Sequence, residues 1–376
     1  MRRVRASFRE DVATQVHRVV LASELACEWE LDLQFLVLVV SEDDKQSVEK
    51  LRSAGLCNVC WVVSDTVEVG DILVPQPDKG DAIVLFRESD LHHSLLLTNR
   101  CNSYCIMCSQ PPTKHNDDWL VDEALSVIRH IRKSPAVLGL SGGEPLLLGP
   151  GLRTILETIA QHHPQTLVEV LTNGRLLSSP TISQSLLEGL RTNVSWLVPL
   201  YGHTDFVHDF VVQTEGAFEE TLAGLLALQQ YSQPIQLRIV LIEPVLQILP
   251  SLSAFIGRNL PFVREVALMA CEPIGFALAN REHCEVDLLD WADNLEQAAR
   301  TLRRHQVSYL FMNTPLCGLP SNLRSSAHRS ISDWKQVYAA ECELCSVKSS
   351  CSGLFAWHER GWKPTKLRAI VETSHE

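Results

Sequence analysis

From residue 92 onward, short apolar runs of strand length alternate with longer stretches whose apolar positions recur at helical spacing. "HHSLLLT" (92–98) precedes "DEALSVIRHIRK" (122–133), which carries Leu125, Ile128 and Ile131 on one face. "AVLGLS" (136–141) precedes "LRTILETIAQ" (152–161), where Leu152, Ile155, Leu156 and Ile159 align. "LVEVLT" (167–172) and "VSWLVPL" (194–200) follow, then the helix "AFEETLAGLLALQQY" (217–231), "IQLRIVLI" (235–242) and "VREVALM" (263–269). Six strands alternating with helices predict a parallel α/β sheet, curled or wound. In such folds the chemistry gathers at the C-terminal ends of the strands.

The unusual residues fall at those ends. A cysteine cluster follows the first strand, Gly142-Gly143-Glu144-Pro145 the second, Asn173-Gly174 the third and Tyr201-Gly202-His203 the fourth. Arg238 lies within the fifth, and "CEPIG" (271–275) follows the sixth. The chain ahead of this region reads differently. Residues 1–88 mix short apolar runs with one helix-like stretch at 44–54, and end on two strand-like runs around a Pro/Gly/Asp turn in "VGDILVPQPDKGDAIVLF" (69–86). They predict a small α+β domain. Residues 89–305 form the alternating region, and 306–376 a cysteine-bearing extension.

Composition narrows the class. Apolar residues make up 45% and charged residues 21% of 376, the balance of a globular chain. The apolar run "LQFLVLVV" (33–40) falls far short of the roughly 20 residues a membrane span needs. "MRRVRASFRE" is basic but lacks the apolar segment of a secretory signal, so the expected location is the cytoplasm, with no membrane partner. There, twelve cysteines point to metal or redox chemistry rather than structural disulfides. A formal net charge of −12 disfavours nucleic acid as a partner.

"LLLTNRCNSYCIMCSQPP" (95–112) sets Cys101, Cys105 and Cys108 together after the first strand. Disulfides use pairs, and a closed zinc site uses four ligands. A four-iron cluster normally takes four cysteines, so three would leave one iron open to a substrate or cofactor. The alternative is a zinc ion completed by a distant residue such as His115.

Cys-x-x-x-Cys-x-x-Cys after the first strand, with Gly-Gly-Glu-Pro after the second, resembles the radical S-adenosylmethionine (SAM) enzymes. The resemblance implies a partial (β/α)6 barrel in which Cys101, Cys105 and Cys108 hold a 4Fe-4S cluster and its open iron chelates the methionine part of SAM. One electron then splits the cofactor into methionine and a hydrogen-abstracting 5′-deoxyadenosyl radical. Gly142, Gly143 and Glu144 would meet the methionine ammonium, the glycines admitting close backbone approach. Asn173, facing the cofactor or serving only as a turn residue, and Arg238, bound to the cofactor carboxylate or to a structural acid, are further candidates. Met107 stands where the family usually has an aromatic residue; a thioether can pack on a ring edge. His203, His208, Asp209 and Gln213 sit after the fourth strand, where either structural or catalytic use is open.

A second set comprises Cys317 in "PLCGLP" and Cys342, Cys345 and Cys351 in "CELCSVKSSCSG". It resembles the abridged auxiliary-cluster extensions of peptide-modifying radical enzymes, with Phe355 where the full version continues to another cysteine. The expectation is one auxiliary 4Fe-4S cluster, against a structural zinc, with Cys271 or Cys284 able to replace Cys317. Cys57 and Cys60, in "GLCNVCWVV", read as small buried hydrophobes. The cysteine loop, "YGHTDFVHDFVVQTEGAF" and "NTPLCGLP" together resemble the C-type radical maturase of the His-Xaa-Ser peptide-modification systems, over about residues 69–357. That resemblance implies a ribosomally made His-Xaa-Ser repeat precursor peptide as substrate and a partner radical maturase. The early domain is then a candidate for holding either, by offering a sheet edge to an extended strand.

Overall fold

A computed structural model describes residues 2–371. Its first unit contains β1 (Arg2–Arg5), β2 (Ser7–Phe8), β3 (His17–Val20), β4 (Phe35–Leu38), β5 (Val59–Val63), β6 (Ile72–Gln76) and β7 (Asp81–Phe86), in the order β1-β7-β6-β3-β4-β5-β2. β1 and β2 are two halves of one extended segment, separated only by Ala6. Yet β1 pairs antiparallel with β7, and β2 pairs antiparallel with β5 at the opposite end of the sheet. The sheet therefore closes on itself as a small barrel.

Val4, Ala6, Val19, Leu36, Val62, Leu73 and Val84 form one core of this unit. α1 (Leu25–Glu28) and α2 (Glu42–Ser53) make the crossovers between parallel β3, β4 and β5, and bury Leu25 and Val48 against Val20, Phe35, Val37 and Val59. "FLVL" reads as a continuous apolar run because both of its faces are covered. With its end strands joined through Ala6, the sheet leaves only short free edges among the described residues.

The second sheet has seven parallel strands in chain order: β8 (Ser94–Leu96), β9 (Val137–Ser141), β10 (Leu167–Leu171), β11 (Val194–Pro199), β12 (Ile235–Leu241), β13 (Glu265–Ala270) and β14 (Ser308–Met312). The helices are α3 (Trp119–His130), α4 (Pro150–His162), α5 (Pro180–Leu187), α6 (Asp205–Val212), α7 (Ala217–Gln230), α8 (Glu243–Asn259), α9 (Phe276–Ala279), α10 (Arg281–Cys284) and α11 (Ala292–Arg304). Along β12 the alternation is strict. Ile235, Leu237, Ile239 and Leu241 are buried, while Gln236, Arg238 and Val240 point to the other face.

β14 is one strand more than the periodicity predicts. α11 buries Leu295, Ala298, Ala299 and Leu302 completely and packs on α8, which lays the short run "SYLFM" beside β13. Each leucine so buried contributes roughly 1.5–3 kcal/mol. The expected boundary at 305/306 falls between α11 and the strand it delivers.

The two units meet through His130, whose Nε2 lies 3.2 Å from the Gln34 backbone nitrogen, and through Arg132, which reaches the Glu28 carbonyl at 3.0 Å and the Glu30 carboxylate at 2.6 Å. Residues 313–371 contain one short antiparallel ribbon, β15 (Gln336–Val337) with β16 (Leu354–Phe355), and several single turns. Among the described residues no helix is long and apolar enough to cross a membrane.

Candidate functional site

The chain leaves β8 at a corner fixed by one buried carboxylate. Asp117 accepts from the Thr98 hydroxyl at 3.0 Å, the Asn99 amide at 3.1 Å, the Arg100 Nε at 3.1 Å and the Asn99 backbone N–H. Beyond it, the loop bearing Cys101, Cys105 and Cys108 is gripped by the C-terminal ends of four strands.

After β9, the Gly143 N–H bonds the Thr98 carbonyl and the Glu144 N–H the Arg100 carbonyl, both at 2.8 Å. After β10, Asn173 Nδ2 donates to Asn102 Oδ1 at 2.6 Å, and buried Arg175 donates to the Asn102 carbonyl at 2.6 Å and the Ser103 hydroxyl at 2.9 Å. After β11, the carbonyls of Val212 and Val211 on α6 accept from the Tyr104 and Ile106 N–H groups, both at 3.0 Å. After β13, the Phe276 N–H reaches the Cys108 carbonyl at 2.8 Å, and Asn280 Nδ2 reaches the Ile106 carbonyl at 2.9 Å.

Gly142 and Gly143 are required by this approach. A Cβ on Gly142 would meet the Thr98 carbonyl oxygen at 2.3 Å, and one on Gly143 would meet that of Arg100 at 2.1 Å. The Glu144 side chain is fully buried and accepts from the Leu146 N–H at 2.9 Å, the Thr172 hydroxyl at 2.5 Å and the Asn173 N–H at 2.6 Å. Burial still pushes this carboxyl up from its usual range, the three donors opposing it. The Glu144 side chain therefore ties the β9 and β10 ends together.

The three thiols are mutually close enough to repel one another as thiolates. Burial dominates: it pushes Cys101 up to about 11 and Cys105 up to about 12, and raises Cys108. Such thiols ionise in exchange for a bound cation, as metal ligands do. Among the described residues, no three donors converge tightly enough to hold a single metal ion. His115, the expected completing zinc ligand, is exposed.

Two further polar groups lie near the first cysteine loop. Arg238, nearly enclosed, is bonded among the described residues only to Gln236 Oε1 at 3.2 Å, and burial lowers its basicity. Buried Tyr201 lies within electrostatic reach of Arg238, Cys105, Cys108 and Cys271, with its phenol pushed well up by burial. His203 Nδ1 is buried without a hydrogen-bond partner. The neighbouring candidates are structural. His208 Nδ1 accepts from the Tyr201 N–H at 3.2 Å, and burial pushes the ring down to about 4. Asp209 accepts from the Gly216 and Phe218 N–H groups, capping α7, and Gln213 ends α6 in the left-handed conformation.

The second cysteine set gathers at one place. Cys317, Cys342, Cys345 and Cys351 all line one small cavity. Backbone N–H groups point at two of the sulfurs, from Leu316 and Gly353 to Cys351 at 3.3 and 3.4 Å and from Ile370 to Cys345 at 3.5 Å. Four thiols around one cavity, with N–H donors aimed at sulfur, suit a bound iron–sulfur cluster. Cys271 and Cys284 do not line this cavity, which corrects their expected substitution for Cys317; the Cys271 thiol donates to the Glu272 carbonyl at 3.7 Å and the Cys284 thiol to the Ile106 carbonyl at 3.9 Å. Cys60 is buried within β5, while Cys57 is exposed.

Sequence reasoning missed Asp117, Thr172, Arg175 and Asn280. Asp117 precedes an amphipathic helix and carries the signature of a helix cap, which hides its use at the corner. Arg175 follows Asn173-Gly174 directly, and its burial was the signal available only from the fold.

Residues 95–245 match the sequence model of the Radical SAM superfamily. The chain carries a radical SAM domain. The "Probable GTP 3′,8-cyclase" of Methanocella arvoryzae is 28% identical over 199 residues, which are 52% of this chain and 60% of the relative. Streptococcus suis SuiB bound to S-adenosylmethionine superposes with a TM-score of 0.47 at 11% identity, over 61% of this chain and 51% of that one. SuiB bound to its precursor peptide SuiA gives 0.46 at 10%, over 72% and 60%. The chain thus spans 60% of the length of the curated relative it matches.

Proposed function

We propose that this radical SAM domain holds a 4Fe-4S cluster on Cys101, Cys105 and Cys108 and modifies a ribosomally made peptide carrying His-Xaa-Ser repeats. The observation that carries the reading is the coexistence of two thiol sets: three thiols on a loop gripped by four strand ends, and four thiols around a separate cavity. When bound, the cluster and SAM supply a radical that abstracts hydrogen. The chain's own residues hold and shield it. The Gly142-Gly143 backbone lies against the cysteine loop, where it can receive the ammonium. Arg238 has guanidinium N–H groups left for a carboxylate, and Asn173 fixes the loop through Asn102.

Cys317, Cys342, Cys345 and Cys351 hold an auxiliary 4Fe-4S cluster in this reading. The competing reading is a single zinc ion on the same four thiols. The cytoplasm is the compartment in which such a thiol-rich site stays reduced. A partner radical maturase would act on the same peptide.

Anaerobic reconstitution tests this directly. About eight irons per chain are expected, four per cluster, with 5′-deoxyadenosine formed from SAM and dithionite. A His-Xaa-Ser peptide, incubated with and without a partner maturase, should lose two hydrogens on crosslinking. Stoichiometric zinc would refute the cluster assignment, and an unmodified peptide in both incubations would refute the substrate. The cyclase relative favours a second reading, a nucleotide substrate, which the same assay separates when GTP replaces the peptide.

A further inference from the structure

One face of β12 carries a polar chain that ends on Arg238. Gln236, Arg238 and Val240 share the face opposite buried Ile235, Leu237, Ile239 and Leu241. The parallel register sets Arg238 between Pro199 of β11 and Ala267 of β13, and Gln236 beside Glu265 of β13. Neither proline nor alanine offers a side-chain acceptor, so the guanidinium is anchored from its own strand. Arg238 Nε donates to Gln236 Oε1 at 3.2 Å, and Gln236 Nε2 donates to Glu265 Oε2 at 2.7 Å. The two contacts fix the amide: turned over, it would set its amino group against Nε and its oxygen against a carboxylate.

An arginine fork bonded through Nε keeps its paired Nη groups for a second partner, and among the described residues neither Nη makes a hydrogen bond. The neutral amide also leaves the positive charge unpaired. A carboxylate at position 236 would close an ion pair on it, whereas Glu265 stands one link away. Glu169 of β10 acts on Arg238 through space, with no hydrogen bond between them. A nearly enclosed cation, held in place but not neutralised, is costly unless an anion completes it.

We propose that Gln236 and Glu265 are positioning residues, which hold the Arg238 fork with its Nη groups free for the carboxylate of the methionine part of SAM. Their role rests on the proposed pairing of Arg238 with that carboxylate, and adds the two side chains that aim it. Glu265 fixes the Gln236 amide, and the amide fixes the guanidinium.

The test is titration calorimetry of SAM on the full-length reconstituted chain, at matched iron content. Gln236→Leu should weaken SAM binding about two- to tenfold, the worth of one ordinary hydrogen bond. It should add nothing in an Arg238→Leu background, because the amide acts through that side chain. Glu265→Leu should also weaken binding, while Glu265→Gln, which keeps an acceptor for Gln236 Nε2, should bind SAM like the natural chain. Should Gln236→Leu lose its cluster, the two Glu265 variants decide alone. Natural affinity in Gln236→Leu or Glu265→Leu, beside weakened binding in Arg238→Leu, would overturn the proposal and leave the Arg238 pairing standing. A further loss in the double variant, or equal losses in the two Glu265 variants, would overturn it in the same way. Unchanged affinity in Arg238→Leu would overturn both.

Discussion

Gly143→Ala is the smallest change that should disable the first cysteine loop. The added methyl would lie 2.1 Å from the Arg100 carbonyl oxygen, 2.6 Å from its carbon and 3.1 Å from the Cys101 Cβ. Real Cβ contacts stay beyond 3.0 Å, so the Arg100–Cys101 backbone must retreat by about 1 Å. It cannot do so freely, because Asp117 holds Arg100 on one side while the Gly143 and Glu144 N–H groups hold the same corner on the other. A misplacement of about 1 Å at a reacting centre costs on the order of a hundredfold in rate, and overpacking costs about 1–3 kcal/mol in stability. The assay is 5′-deoxyadenosine formation per iron, measured beside Gly151→Ala, whose methyl would meet its neighbours at an ordinary 3.7 Å. Equal rates in the two variants would refute the view that the β9 turn places Cys101.

Thr172→Val removes the 2.5 Å hydrogen bond to buried Glu144 and the acceptor for the Gly174 N–H. About 1–3 kcal/mol should be lost, read by chemical denaturation, with Thr172→Ser restoring it. Arg238→Leu should weaken SAM binding about tenfold or more, the worth of one charge-assisted hydrogen bond; titration calorimetry with unchanged affinity would assign Arg238 to structure instead. His17, whose buried ring is pushed down to about 4 by desolvation, stays neutral in the fold while the unfolded chain takes up a proton near 6.5. Stability should therefore fall as pH drops from about 6.5 to 4, by about 2 kcal/mol from this group at pH 5. His17→Leu should lose less stability between pH 7 and pH 5 than the natural chain does, and equal losses would contradict the assignment.

The alternation of apolar runs made six of the seven parallel strands legible, because a strand buried beneath helices must be apolar on that face. β14 was hidden because "SYLFM" is short and its burial depends on α11 packing on α8, a contact no local pattern encodes. Closure of the first sheet was hidden for a similar reason: one extended segment serves two distant partners, and pairing is not written into either half. At the site, spacing exposed both cysteine sets, since thiols in such numbers have few other uses. Spacing could not separate side chains that bind from side chains that hold. Glu144, Asp209 and His208 sit where ligand contacts belong, yet each also accepts hydrogen bonds that hold neighbouring backbone in place. Asp117 and Arg175 hold the loop without carrying any motif.

The central claim is that three thiols hold a cluster whose remaining iron is open to SAM. Electron paramagnetic resonance of the reduced, reconstituted Cys342→Ala/Cys345→Ala variant, in which only the first site is expected to keep its iron, tests it most directly. The spectrum should change when SAM is added, and the change should vanish with Cys101→Ala, Cys105→Ala and Cys108→Ala. A reduced spectrum that SAM leaves unaltered would contradict the account.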